Sequence, residues 1–211
     1  MREKKHDPAL WAHILLFITE CVAFYLCIGF GESHILRFYT QDSNLFELLI
    51  SAVWIGERLF GRRTQKPSRV VRVLSYTAAC MLTVTFLVVL FILAPQQGPG
   101  GYKDLLLNGP MLFMHFLCPV VALVSFLFFE KAPALTGRDV CLAMLPTLLY
   151  AAVTIVLNVL RGMEGPYPFL RVYEQSLGMS FFWAFVVIGG AFLIAWALKK
   201  LNGRLHGHAD Q

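Results

Sequence analysis

Six long apolar runs dominate this 211-residue sequence, at about Leu10 to Phe30, Leu36 to Phe60, Val70 to Leu93, Pro110 to Phe129, Val140 to Leu160 and Met179 to Leu198. Each is long enough to cross roughly 30 Å of hydrocarbon as an α-helix. The connections between them are short and leave no room for a separate soluble domain. The expected fold class is therefore all-α: a polytopic membrane protein, a single domain over residues 1–211 with six transmembrane helices. Composition agrees, because 57% of the residues are hydrophobic and only 15% charged. A soluble fold of this size has too little polar surface to cover such a core, which excludes most soluble enzymes and also disorder. A membrane barrel is excluded because the runs are continuous and do not alternate. The first run is about twice the length of a signal-peptide core and lacks a small-residue cleavage site, so no cleaved leader is expected.

The net charge of +5 could point to nucleic acid, but mapping the charges gives another reading. Arg2, Lys4 and Lys5 precede the first run. Arg58, Arg62, Arg63, Lys66, Arg69 and Arg72 cluster between the second and third. Lys131 and Arg138 join the fourth and fifth, and Lys199, Lys200 and Arg204 follow the sixth. Arg37, Lys103, Arg161 and Arg171 fall on the other side, and these two sets account for all 18 Lys and Arg. The positive-inside rule then places both termini in the cytoplasm and favours an even number of spans. The expected partners are membrane lipids and a lipid substrate, with no nucleic acid; the oligomeric state is not legible.

Ionisable residues inside a membrane span are expensive and mark functional candidates. In the second run Thr40, Ser43, Asn44, Glu47 and Ser51 share one helical face, turned away from lipid. The bland alternative is interhelical hydrogen bonding and capping. In the fourth run His115 stands alone, with Pro119 four residues later, so the carbonyl of His115 loses its helical partner. In the fifth, Tyr150, Thr154, Asn158 and Arg161 follow Pro146 along one face, toward Gly165-Pro166-Tyr167-Pro168-Phe169. Arg161 could equally snorkel to the interface. Glu20 sits near mid-membrane and must be paired or protonated, whereas His13 is expected at the interface. His206 and His208 read as solvated. Cys21, Cys27, Cys80, Cys118 and Cys141 lie in apolar runs without CxxC spacing and read as packing residues. No spacing suggests a zinc site and no cofactor is demanded.

On the predicted topology the polar features of the second, fourth and fifth runs reach one membrane level, which implies a cavity opening toward the outer leaflet. Thr40 and His115 could there form a hydroxyl–imidazole pair, with Ser43 as the rival nucleophile. Asp42 or Glu47 could orient the imidazole, and Asn44, Tyr150 or a backbone N–H could stabilise an oxyanion. A hydroxyl-to-ring separation of about 3–4 Å beside a lipid-lined cavity is the geometry such a pair requires.

Phe38-Tyr39-Thr40-Gln41-Asp42-Ser43-Asn44-Leu45, His115 with Pro119, Pro146 with Tyr150, and Tyr167-Pro168-Phe169 follow in this order over about Phe38 to Phe169. Together they resemble the androgen-induced-gene family of multi-span membrane proteins. The resemblance implies a multi-span fold. It also implies the activity of the characterised animal members, threonine hydrolases that cleave fatty acid esters of hydroxy fatty acids. By motif position their catalytic Thr and His correspond to Thr40 and His115. The Ser43-Asn44 element and the His-x-x-x-Pro spacing are closer to the bacterial branch, so the fold carries over better than the substrate does. Two other functions compete with lipid ester hydrolysis in a bacterial plasma membrane. One is a transporter or channel, suggested by Glu20, Glu47 and the span-breaking prolines. The other is a membrane protein that binds lipid without turning it over.

Overall fold

The computed structural model describes residues 7–31, 37–60, 67–130 and 134–207. Of these, 82% are helical, and there is no strand among the described residues. The helices are α1 (Pro8–Gly29), α2 (Tyr39–Phe60), α3 (Arg69–Gln96), the short α4 (Gly101–Leu106), α5 (Gly109–Phe129), α6 (Gly137–Val159) and α7 (Leu177–Leu205). Five of them, α1, α3, α5, α6 and α7, are long and apolar enough to cross a membrane, which marks an integral membrane protein. At 22 residues α2 is as long as α1. Its lower apolarity comes from the Thr40–Ser51 stripe. The expected start of that run, Leu36, lies outside the described residues. So do Arg2, Lys4, Lys5, Arg62, Arg63, Lys66, Lys131 and His208.

Helix ends follow local chemistry. Asp7 caps α1 by accepting from Leu10 N at 3.2 Å, and Pro8 occupies the first turn, where its missing N–H costs nothing. Ser68 caps α3 and Ser176 caps α7, each accepting from the backbone N–H three residues on. At α6 the Asp139 carboxylate accepts from the Thr136 N–H at 2.6 Å and from both hydroxyl and guanidinium neighbours, Thr136 Oγ1 and Arg69. Each such cap contributes about 1 kcal/mol.

The hub is α3, which packs against α2, α5, α6 and α7. Every residue from Ser75 to Thr85 is buried, so this helix is enclosed on all sides. By contrast α7 lies at the edge and presents Phe181 and Phe185 outward, the latter 78% exposed. Such apolar exposure is anomalous in water and natural against lipid. The main core lies between α3, α6 and α7, with Tyr76, Phe126, Met144 and Ala195 among its members.

Two helices depart from regular α geometry. Val89–Leu93 in α3 and Leu112–Leu117 in α5 are π-helical, as is Ser125–Phe129 at the end of α5. In the second of these the Cys118 N–H reaches back five residues to the Phe113 carbonyl, and Pro119 follows. His115 sits inside this widened turn. Pro146, expected to loosen its run, lies within an unbroken α6.

Candidate active site

Thr40 is the second residue of α2 and His115 the centre of the π turn of α5. Their side chains meet: His115 Nε2 lies 3.3 Å from Thr40 Oγ1. The other ring nitrogen, Nδ1, is 2.7 Å from the Leu105 carbonyl of α4. A carbonyl can only accept, so Nδ1 carries the proton, and in a neutral ring Nε2 is left as the acceptor facing the Thr40 hydroxyl. This polarity is the one a general base requires. Leu105 therefore supplies the orienting group expected from Asp42 or Glu47. Glu47 is engaged elsewhere, accepting from Ser51 at 2.8 Å. Asp42 is half-buried and lines neither cavity described below.

Tyr167 completes the constellation from the loop between α6 and α7. Its hydroxyl accepts the Thr40 backbone N–H at 3.3 Å and lies 3.5 Å from Thr40 Oγ1. Burial pushes the Tyr167 phenol above its usual range, so it remains an O–H donor. Its ring stacks on Phe169 at 5.3 Å, and Phe169 in turn leans on Trp183 of α7. The loop is itself pinned by Asn158, whose amide donates to Met163 O and accepts from Val172 N. Thus Asn158, expected at the site, holds the loop that carries Tyr167.

The remaining candidates separate by geometry. Ser43 donates to the Thr40 carbonyl at 2.9 Å and pairs with Thr85 at 3.0 Å, fully buried and away from His115. Asn44 spends its amide on Thr40 O and Met114 O, tying the start of α2 to α5. Both therefore fix the backbone under Thr40 and are not placed as nucleophile or oxyanion donor. Tyr150 donates to Arg37 O at 2.8 Å and stacks edge-on with Tyr39. Arg161 is exposed just beyond α6 with φ of 57°, its guanidinium 4.5 Å from the Tyr173 ring centroid. It shares a shallow pocket with Asn158 and Glu164, which has only Arg171 in common with the lining of the wide Thr40 cavity.

Two cavities meet at Thr40. A wide one of ≈ 590 Å³ is lined by Thr40, His115, Tyr167, Gln96, Gln97 and Arg171, with Phe38, Leu93, Met111 and Pro168 supplying apolar wall. A narrow one of ≈ 50 Å³ continues behind Thr40 between Val84, Val88, Leu93, Tyr150 and Val187. Thr40, Leu93 and Tyr167 belong to both. Gln96, Gln97 and Arg171 were not legible as site residues, because they lie at the end of α3 and in connections whose course depends on the fold.

At the opposite end of α2 a second polar group forms, and here two expectations are corrected. His13 is 1% exposed and not interfacial: α2 and α5 cover it, and its ring stacks on Trp54 at 4.3 Å. Arg72, counted among the flanking charges, is 2% exposed inside α3 and donates to Glu130 O and Asn202 Oδ1. Glu130, at the end of α5, accepts from Ser75 and Ser125 and lies 3.3 Å from His13. Glu20 is fully buried, and among the described residues no N–H or O–H donor reaches either carboxyl oxygen. Among those residues no group of His, Cys, Asp and Glu is arranged to hold a metal. Comparison with known proteins finds no matching family model, no matching curated protein and no matching solved structure.

Proposed function

We propose that this chain is a membrane-embedded lipid ester hydrolase with Thr40 as nucleophile and His115 as general base. The observation that carries the reading is the 3.3 Å approach of an unprotonated imidazole nitrogen to the Thr40 hydroxyl at the wall of a large cavity. Thr40 Oγ1 attacks the acyl carbonyl while His115 Nε2 takes its proton, and the same proton returns to the leaving alkoxide. The acyl-Thr40 ester is then cleaved by water, which His115 deprotonates before returning that proton to the departing Thr40 Oγ1, releasing the carboxylic acid and the free hydroxyl. The Tyr167 O–H, directed at the carbonyl oxygen as it gains charge, is the oxyanion donor. The positive end of the α2 dipole lies at the same place.

The cavities suggest how an ester would lie. The carbonyl sits at Thr40, an apolar end points toward the Val84–Val187 crevice, and the more polar portion faces Gln96, Gln97 and Arg171. The ordered motifs from Phe38 to Phe169 support the same chemistry through their resemblance to the androgen-induced-gene family. In this reading α2 is the sixth span, its polar stripe facing the bundle interior. Both termini are cytoplasmic and the Thr40 cavity opens toward the outer leaflet, as the distribution of Lys and Arg requires.

The test is covalent trapping. A fluorophosphonate probe applied to the purified protein is expected to modify Thr40, located by peptide mass spectrometry. Labelling disappears in Thr40→Ala and in His115→Ala. Full esterase activity in a folded Thr40→Ala sample overturns the assignment; lipid that copurifies without turnover or labelling supports the binding reading instead.

A further inference from the structure

The buried group at the far end of α2 is arranged as a chain of proton donors and acceptors. Ser51 donates its hydroxyl proton to Glu47 Oε1 at 2.8 Å. Its oxygen is then an acceptor for His13 Nδ1, 3.0 Å away, so Nδ1 carries the ring proton. His13 Nε2 is left as a bare acceptor with no donor, 3.3 Å from Glu130 Oε1. Both hydrogen bonds therefore run in one sense, from His13 toward Glu47, with the Glu130 carboxylate in contact at the His13 end.

The chain leads inward. Asp7–Arg58 at 3.0 Å and His13–Ser51 fix an antiparallel register between α1 and α2. That register brings Glu20, two turns beyond His13 on the same face, to the level of Asn44 and Glu47. Among the described residues no N–H or O–H donor reaches the two Glu20 oxygens or Asn44 Oδ1, and the weakly donating Cys118 thiol lies against the Glu20 carboxyl. A carboxyl without a strong donor in the interior of a membrane bundle is costly, and a purely structural role does not call for one.

We propose that Glu130, His13, Ser51 and Glu47 form a proton relay that loads a proton from the Glu130 end of the bundle onto the Glu47–Glu20 carboxyl pair in its interior. Protonated Glu130 gives its proton to His13 Nε2. The ring releases its Nδ1 proton to Ser51, and Ser51 passes its own to Glu47. One proton has moved, Glu130 is left as a carboxylate, and His13 and Ser51 are again neutral. Arg72, donating to the Glu130 carbonyl, stabilises that carboxylate. Ser75 of α3 and Ser125 of α5 donate to it directly. The other charged groups at this end, Asp139 of α6 with Arg69 of α3, are paired with each other, and Asn202 of α7 is held by Arg72 and the Phe126 carbonyl. This function is separate from ester cleavage and uses none of its groups.

The experiment is infrared hydrogen–deuterium exchange on the full chain in lipid nanodiscs. A protonated-carboxyl band is expected that is lost in Glu20→Gln, and it shifts when the bilayer is transferred to D₂O. In His13→Phe the shift slows by at least about tenfold, and Ser51→Ala slows it by a smaller factor. Probe labelling of Thr40 in both variants reports that the bundle is intact, and should His13→Phe fail that control, Ser51→Ala decides. Absence of a Glu20-dependent band overturns the proposal, as does exchange at the wild-type rate in the folded variants.

Discussion

The two ends of α2 carry polar groups of opposite character. At the Thr40 end the groups are neutral: a hydroxyl, an imidazole held by a carbonyl and a phenol, all on the wall of a ≈ 590 Å³ cavity. At the Glu130 end they are ionisable and closed on one another, and neither His13 nor Glu130 lines either of the cavities that meet at Thr40. The difference follows from what low polarity permits. A neutral hydroxyl–imidazole pair can face an open cavity with little desolvation cost, whereas buried charges persist only with donors packed around them. One end is thus free to engage a ligand and the other is committed to its own network.

The contrast can be broken most sharply at Thr40. Thr40→Ala and His115→Ala are each expected to lower esterase turnover by roughly 10³-fold or more while leaving thermal unfolding nearly unchanged. At the other end the pattern should invert. Glu130→Ala leaves Arg72 without its counter-charge and Ser75 and Ser125 without their acceptor, and is expected to destabilise the fold by about 3–5 kcal/mol, read from the unfolding midpoint in detergent, with Thr40 still labelled by the probe in the folded fraction. Tyr167→Phe sharpens the assignment at the site. It keeps the stack on Phe169 and removes one donor, so turnover should fall about 10–100-fold with little change in KM. The smallest effect is expected at Asn158→Ala, which removes two loop hydrogen bonds. A loss of about 1–2 kcal/mol and faster proteolysis between α6 and α7 would mark it as a loop anchor; a kcat loss as large as that of Tyr167→Phe would place it at the reacting centre instead.

The sequence made α2 legible because a stripe at i, i+3, i+4, i+7 and i+11 has one physical meaning on a helix, and Thr40, Ser43, Asn44, Glu47 and Ser51 are all buried on that face. Thr40 and His115 were legible as polar groups in apolar runs, and the 3.3 Å between them lies within the roughly 3–4 Å that such a pair requires. What periodicity cannot carry is the partner on another helix. His13 near the start of α1 resembles an interfacial residue until Trp54 and Glu130 are placed over it. Arg72 resembles a flanking charge until Asn202, 130 positions away, is seen to accept from it. The Leu105 carbonyl that orients His115 has no side-chain signature at all. Asn158 follows Tyr150 and Thr154 along α6, but the helix ends at Val159, Arg161 turns off that face, and only Tyr167 is carried back to Thr40.

The π turn around His115 has a consequence for how this helix can change. A π turn holds one residue more than the α turn it replaces, and one residue corresponds to a rotation of about 100°. Excising a single residue between Leu112 and Leu117 would let the helix close into regular α geometry. The half from Cys118 onward could then keep its packing against α1 and α3. The half before it would keep its face too, because the π turn absorbs its extra residue locally, and only the imidazole inside the turn would be re-aimed, off Thr40 and Leu105. The catalytic register is therefore stored in a single extra residue of backbone, and a one-residue deletion would silence the site while sparing the bundle.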